Sequence, residues 1–246
     1  MNEERNLRLF IEYDGTCFHG WQWQPALRTV QGTIETALRQ LLQERVTLIG
    51  AGRTDAGVHA VRQVANVHIS NRLSTNIIQR GLNALTPDDI VIHGVDEVPS
   101  SFHARFDAKK RVYRYQIATA QRAIGRTYQW YVPCRFLLHR MQEAVTCLVG
   151  RHDFSAFALT GGGERSRTCT VFACEWSEQE DEVVFDMTAD RFLRGMVRTI
   201  VGTSVEIGRG RWPVERMQEA VQSVDSPCTG PTAPAHGLCL MDVVYD

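Results

Sequence analysis

Lysine is almost missing from this 246-residue chain. Only Lys109 and Lys110 occur, so the other 25 of its 27 cations are arginines. Arginine grips phosphate bidentately and stacks on bases, where lysine is a point charge; genomic base composition produces the same bias, and little weight rests on it. Long apolar runs are absent too, none approaching the roughly 18 residues of a membrane span. The charged opening Met1-Asn-Glu-Glu-Arg-Asn has no apolar stretch behind it, so no secretory signal is expected. The cysteines (Cys17, Cys134, Cys147, Cys169, Cys174, Cys228 and Cys239) are odd in number and form no C-x-x-C pair. That excludes a disulfide framework or a structural zinc site and points to reduced thiols in a cytoplasmic protein. The eight histidines show no ligand spacing, and no metal is expected. Net charge is lacking as well: −1, with a pI near 6.7, which on its face argues against a nucleic-acid partner.

With 43% hydrophobic residues, the chain can bury one large core or two ordinary ones. Leu7, Leu9, Ile11 and Tyr13 alternate as a strand, and Ile34, Ala37, Leu38, Leu41 and Leu42 stripe a helix over Val30–Leu42. Val46–Ile49 and Gln63–Ile69 read as strands, Ser74 as the N-cap of a second helix, and Ile90–Val95 as a returning strand. The order is β-α-β-β-α-β, the split pattern of ferredoxin-like and RNA-recognition-motif folds. Past residue 104 the order recurs as pattern rather than as identity, giving an α+β chain with domains 1–104 and 105–246. Its elements are a strand Arg111–Ala118, a helix through Leu137, Met141, Ala144, Val145 and Leu148, and a hairpin of Thr170–Trp176 with Val183–Thr188. Helices over Phe192–Ile207 and Val214–Val224 and a strand Leu238–Val244 complete it. Gly161–Ser166 and Ser226–His236 read as connections.

Four segments carry chemistry. In Gly50-Ala-Gly-Arg-Thr-Asp-Ala-Gly-Val-His59, glycines allow tight turns and close approach. The following residues run in β-like fashion, so a dinucleotide or phosphate loop fails on context. What remains is Arg53-x-Asp55 on a stiff loop, either a structural ion pair or a reactive carboxylate beside a cation. Over residues 101–140 there are nine cations and one acid, interleaved with Phe102, Phe106, Tyr113, Tyr115, Tyr128, Trp130 and Tyr131. Cations for the backbone and aromatics for stacking suit single-stranded or loop RNA, although Tyr113 and Tyr115 on one strand face also suit plain core packing. Arg191, Arg194 and Arg198 are spaced for one helix face, with Met196, Val197, Ile200 and Val201 inward. Phe18-His-Gly-Trp-Gln-Trp-Gln-Pro25 is either a binding lip or a plug closing the sheet.

Together these segments resemble the TruA-type tRNA pseudouridine synthases. Tyr13-Asp-Gly-Thr, Gly20-Trp-Gln-x-Gln, Ala51-Gly-Arg-Thr-Asp-Ala-Gly-Val-His, Phe102-His-Ala-Arg-Phe, Tyr113-Arg-Tyr, His152-Asp-Phe-Ser, Met196-Val-Arg and Gly237-Leu match that family's pattern in order, over essentially the whole chain. Two departures are Arg62, where glycine is common before Gln-Val, and glycine-rich residues 160–168. The resemblance implies cofactor-free isomerisation of uridine to pseudouridine at positions 38, 39 and 40 of the tRNA anticodon stem-loop, with the target base flipped out. It implies a homodimer of chains built from two ferredoxin-like halves whose sheets join around an active-site cleft. Asp55 is then the catalytic carboxylate, with attack on the sugar, attack on the base and proton abstraction all open. Arg198 holds that carboxylate ionised, Tyr113 stacks beneath the uracil, Leu238 lines the pocket and Arg53 fills the vacated space. Arg105, Lys109, Lys110, Arg111, Arg114 and Arg194 are the expected RNA contacts.

Neutrality of the whole chain then hides a distribution. Residues 101–140 carry net +8, offset by seven acids and no cation over 175–190, which are expected on a surface turned away from RNA. A non-catalytic RNA-binding module and a nucleoside hydrolase are the rivals. The hydrolase generally needs two carboxylates flanking one bond, and the Arg53–His59 motif offers no acidic partner to Asp55.

Overall fold

A computed structural model describes residues 4–159, 161, 166–223 and 228–246. Most of the Gly161–Ser166 connection and part of the one at Ser226 lie outside the described residues. The chain divides into two compact units: residues up to Lys109 together with Leu240–Asp246, and Lys110–Cys239. The sequence places its division near 104 and keeps 105–246 together. The partition differs because the last residues bond back to the first unit. The Lys109 N–H donates to the Val244 carbonyl at 2.8 Å, and the Tyr245 hydroxyl to the Ala104 carbonyl at 2.8 Å.

In the first unit the elements are β1 (Arg5–Tyr13), α1 (Val30–Leu42), β2 (Ile49–Gly50), β3 (His59–Ile69), α2 (Thr75–Leu85) and β4 (Ile90–Val98). This is the β-α-β-β-α-β order read from the sequence. The strands run β4-β1-β3, and the final strand β10 (Leu238–Val244) adds beside β3. Antiparallel register sets Leu9 opposite both Ala65 and Val95. Leu7, Leu9 and Ile11 are wholly buried on the face that Ile34, Leu38, Ile78 and Leu82 of the helices also supply. α1 starts where Thr29 accepts the Gly32 N–H and ends at Gln43 in the left-handed region. Of the expected strand Val46–Ile49 only Ile49 pairs, together with Gly50 beyond it. The physical reason lies in α1: the Glu35 carboxylate takes the Leu48 N–H at 2.8 Å and the Gln31 amide donates to the Leu48 carbonyl at 3.2 Å. Side chains there satisfy the groups that a ladder would use.

The second unit holds β5 (Lys110–Ala118), β6 (Trp130–Tyr131), α3 (Leu138–Val145), β7 (Gly150–Asp153), β8 (Thr168–Gln179), β9 (Glu182–Ala189), α4 (Met196–Gly208) and α5 (Glu215–Gln222). Its strands run β5-β9-β8-β7, with β6 parallel to the end of β5. The expected helix Phe192–Ile207 begins four residues late. Gly195 caps it with φ +73, and the Arg194 carbonyl accepts the Leu159 N–H at 2.8 Å, so the approach is not helical. Arg191 and Arg194 therefore share no helix face with Arg198. Nor is α4 half-solvated: Arg198 and Glu206 are its only residues that are not buried. β6 and β7 escape sequence reading because they are short and lack alternation. Among the described residues no helix is long and apolar enough to cross a membrane, and no cluster of three His, Cys, Asp or Glu side chains could hold a metal ion.

One buried polar group ties the first unit together. Asn66, on β3 and fully buried, donates to the Asn6 side-chain oxygen and accepts the Ala104 N–H, both at 2.9 Å. Asn6 in turn donates to the Pro99 and Phe102 carbonyls at 3.1 and 2.8 Å. Asn66→Ala strands these partners without water. It should cost about 2–3 kcal/mol in urea unfolding, with the thermal midpoint falling accordingly.

Candidate active site

Asp55 lies on the loop between β2 and β3, and the chain before it explains how that loop is held. Thr54 is buried, whereas Arg53 is exposed and Asp55 half-buried, an inward–outward alternation around one anchor. The Thr54 carbonyl accepts the Trp21 N–H at 3.1 Å, and its hydroxyl bonds the Tyr13 hydroxyl at 2.8 Å. The Gly57 N–H donates to the Phe18 carbonyl at 3.2 Å, and the Asp55 carbonyl accepts the Val58 N–H at 3.1 Å. At the other end the Ala51 N–H donates to Val64, and the Gln63 amide to the Gly52 carbonyl. Phe18 and Trp21 are buried, so this part of the aromatic segment is a plug, while Trp23 stays in solvent as a lip.

Two motif glycines earn their places by proximity to this loop. A Cβ on Gly15 would lie 2.0 Å from the Val58 carbonyl oxygen; one on Gly20, which has φ +90, would lie 2.7 Å from the Thr54 oxygen. The His59 ring closes the corner, taking the Gly15 N–H on Nδ1 at 3.0 Å with the Asp14 carboxylate 3.1 Å from the same nitrogen.

The second unit carries its own group of expected site residues. Tyr113 on β5 is mostly buried and meets the Phe192 ring edge-on at 4.9 Å. Tyr115, on the same strand face, is core: its hydroxyl donates to the Pro234 carbonyl at 2.8 Å, and its ring leaves no room for a Cβ on Gly237. Burial pushes the Tyr115 phenol well above its ordinary pKa, against a lowering by the Arg198 charge. Arg198 projects from α4 and donates through Nε to the Ala233 carbonyl at 2.7 Å, while the Ala233 N–H returns to the Arg198 carbonyl at 3.1 Å. Leu238 follows at the start of β10, buried. Phe192 and the Ala233–Pro234 carbonyls went unnoticed in the sequence; only the Gly237-Leu pair pointed to that segment. His152-Asp-Phe-Ser proves to be architectural, with the Asp153 carboxylate accepting the Ser155 N–H at 2.7 Å and Phe154 wholly buried.

The expected RNA contacts separate by surroundings. Arg105, Lys109, Lys110 and Arg194 are exposed. Arg111 is buried, its guanidinium donating to the Asp190 carbonyl at 2.7 Å. Arg114 forms two parallel bonds to Asp186, both 2.9 Å, and that hydrogen bonding raises its pKa. Arg122 bonds Glu182 on the same hairpin. Antiparallel register puts Arg114 opposite Asp186. Part of the acidic stretch thus lies beside the basic stretch rather than turned away from it.

Gly20→Ala forces a left-handed backbone on alanine and a clash with Thr54. It should destabilise the protein by about 2 kcal/mol and speed hydrogen exchange at the Trp21 amide, measurable by native-state exchange.

Comparison with known proteins gives the chain's relatives. A family model described as tRNA pseudouridine synthase matches residues 9–107 and 144–246. The tRNA pseudouridine synthase A of Acetivibrio thermocellus is 42% identical over 243 residues, covering 98% of this chain and all of that protein. Its namesake from Thermotoga neapolitana is 40% identical over 245 residues, and that of Thermoanaerobacter sp. 38% over 243, each again covering 98% and 100%. The matched segments include the loop of Asp55, the helix of Arg198 and the strand of Leu238, and on that ground the chain belongs to the tRNA pseudouridine synthase family.

Proposed function

We propose that this chain isomerises uridine at positions 38, 39 and 40 of the tRNA anticodon stem-loop, with Asp55 as its essential carboxylate. Membership of the family makes it an isomerase that converts uridine to pseudouridine in tRNA; the positions and the residue roles are our reading. The reaction breaks the N1–C1′ bond, turns the uracil, joins C5 to C1′, releases the C5 hydrogen as a proton and leaves N1 to take up a proton from water, so no redox partner or group donor is required. The observation that carries the assignment is the anchoring of Asp55: a half-buried carboxylate next to a clamped threonine, on a loop tied at both ends. Such fixing is what a reacting group needs, because small misplacements cost large factors in rate.

Arg198, Tyr113, Leu238 and Arg53 take the remaining roles. Arg198, oriented by the Ala233 carbonyl, takes the cation's role that the family resemblance assigns to it. Tyr113, braced by Phe192, offers a flat surface for the detached uracil, and Leu238 an apolar wall. Arg53, exposed on the same loop as Asp55, fills the space left by the flipped base. We take the chain to act as a cytoplasmic homodimer of ferredoxin-like halves, as the family resemblance implies.

Asp55→Asn should lower release of tritium from C5-labelled uridine in tRNA by about a thousandfold or more, with tRNA affinity and the melting temperature close to wild type. Turnover at the wild-type rate would overturn the role, and free uracil as product would favour a hydrolase. Pseudouridine mapping in cells lacking the protein should show loss confined to positions 38–40.

Binding should also weaken with salt despite the near-neutral pI. With four of the six expected phosphate contacts exposed, the plot of log affinity against log salt should slope at about −3. A flat plot contradicts the proposed interface.

A further inference from the structure

The aromatic side chains of the basic stretch do not share one environment. Tyr113 and Tyr115 are buried at 7% and 0% exposure, whereas Phe106 is 74% exposed. An apolar ring held so far into water has no part in the core. Nor does it sit on a slack loop. The His103 ring stacks on Phe106 at 4.2 Å between centroids and 29° between planes. The same histidine's Nδ1 lies within reach of the Arg105 and Phe106 N–H groups, at 3.2 and 3.3 Å. Asp107 closes the turn, its carboxylate accepting the His103 N–H at 2.9 Å and its own N–H returning to the His103 carbonyl at 3.1 Å. Between them Ala104 is pinned by Asn66 and Tyr245. The exposed ring is therefore presented in a fixed pose, backed on one side by an imidazole.

Its neighbours decide what it meets. The Arg105 guanidinium carbon lies 5.8 Å from the Phe106 centroid, and Lys109 is exposed on the same segment. A rigid aromatic flanked by cations is complementary to an unpaired base with its phosphates. We propose that Phe106, stacked on His103, is a platform for an unpaired base of the tRNA other than the reacting uridine. This rests on the reading of the chain as a tRNA-modifying enzyme. His103 is a positioning residue for the ring, through both the stack and the turn it closes.

The test compares wild type with Phe106→Ala and Phe106→Trp on an unmodified tRNA transcript, in which pseudouridine is also assayed after reaction with the wild type. The alanine variant should raise the Kd by about tenfold. Its salt slope should stay that of the wild type, because no phosphate contact is removed. Tryptophan should restore affinity to within about twofold, and both melting temperatures should match wild type. A Kd for Phe106→Ala within twofold of wild type overturns the proposal, as does a loss that tryptophan leaves unrepaired. A change in sedimentation would assign the ring to contact between two copies of the chain and also overturn it. Absence of pseudouridine with the wild type would instead strike the proposed function, which the Kd series does not measure.

Discussion

Thr54 is the residue on which the candidate chemistry of the first unit depends. Its hydroxyl meets the Tyr13 hydroxyl inside the core and its carbonyl meets the Trp21 amide, so one side chain and one peptide group face inward together. Residues on either side of an inward-facing position in extended chain face the other way. Arg53 and Asp55 flank that anchored position, the first exposed and the second half-buried. The partners are themselves fixed: Tyr13 ends β1, and Trp21 packs where a side chain on Gly50 would strike its ring. A reacting group on a loop thus inherits the rigidity of a sheet, which is the arrangement that precise positioning requires.

Much of this was legible because the physics is local. The Val30–Leu42 helix carries its stripe, its threonine cap and its stop within the segment itself, and it forms over those very residues. The Arg53–Asp55 loop could be read as stiff from its glycines and flanking strands. What escaped depends on partners far along the chain. Nothing near Val46 says that Glu35 and Gln31 take the Leu48 backbone. Nothing near Phe192 says that Gly195 adopts a left-handed cap against Leu159. The net charge of a stretch misled for the same reason, since Arg114 and Asp186 stand 72 residues apart in sequence and opposite each other in the sheet.

The scarcity of lysine also gains meaning from the ion pairs. Arg114 with Asp186 and Arg28 with Asp89 each use both ends of the guanidinium fork, a geometry that an ammonium lacks. These two arginines are therefore girders, whose charge is matched within the chain although both pairs are partly exposed. The two lysines sit together at Lys109 and Lys110, both exposed, where a mobile point charge suffices.

The return of Leu240–Asp246 to the first unit bears on how the protein is made. A ribosome delivers Asp55 and its clamp early, yet the strand that adds beside β3 comes last. Until then β3 is paired on that side only by the two residues of β2, and the rest of the edge is the kind of surface that invites wrong partners. The first unit therefore waits, incomplete, for the whole second unit to be translated.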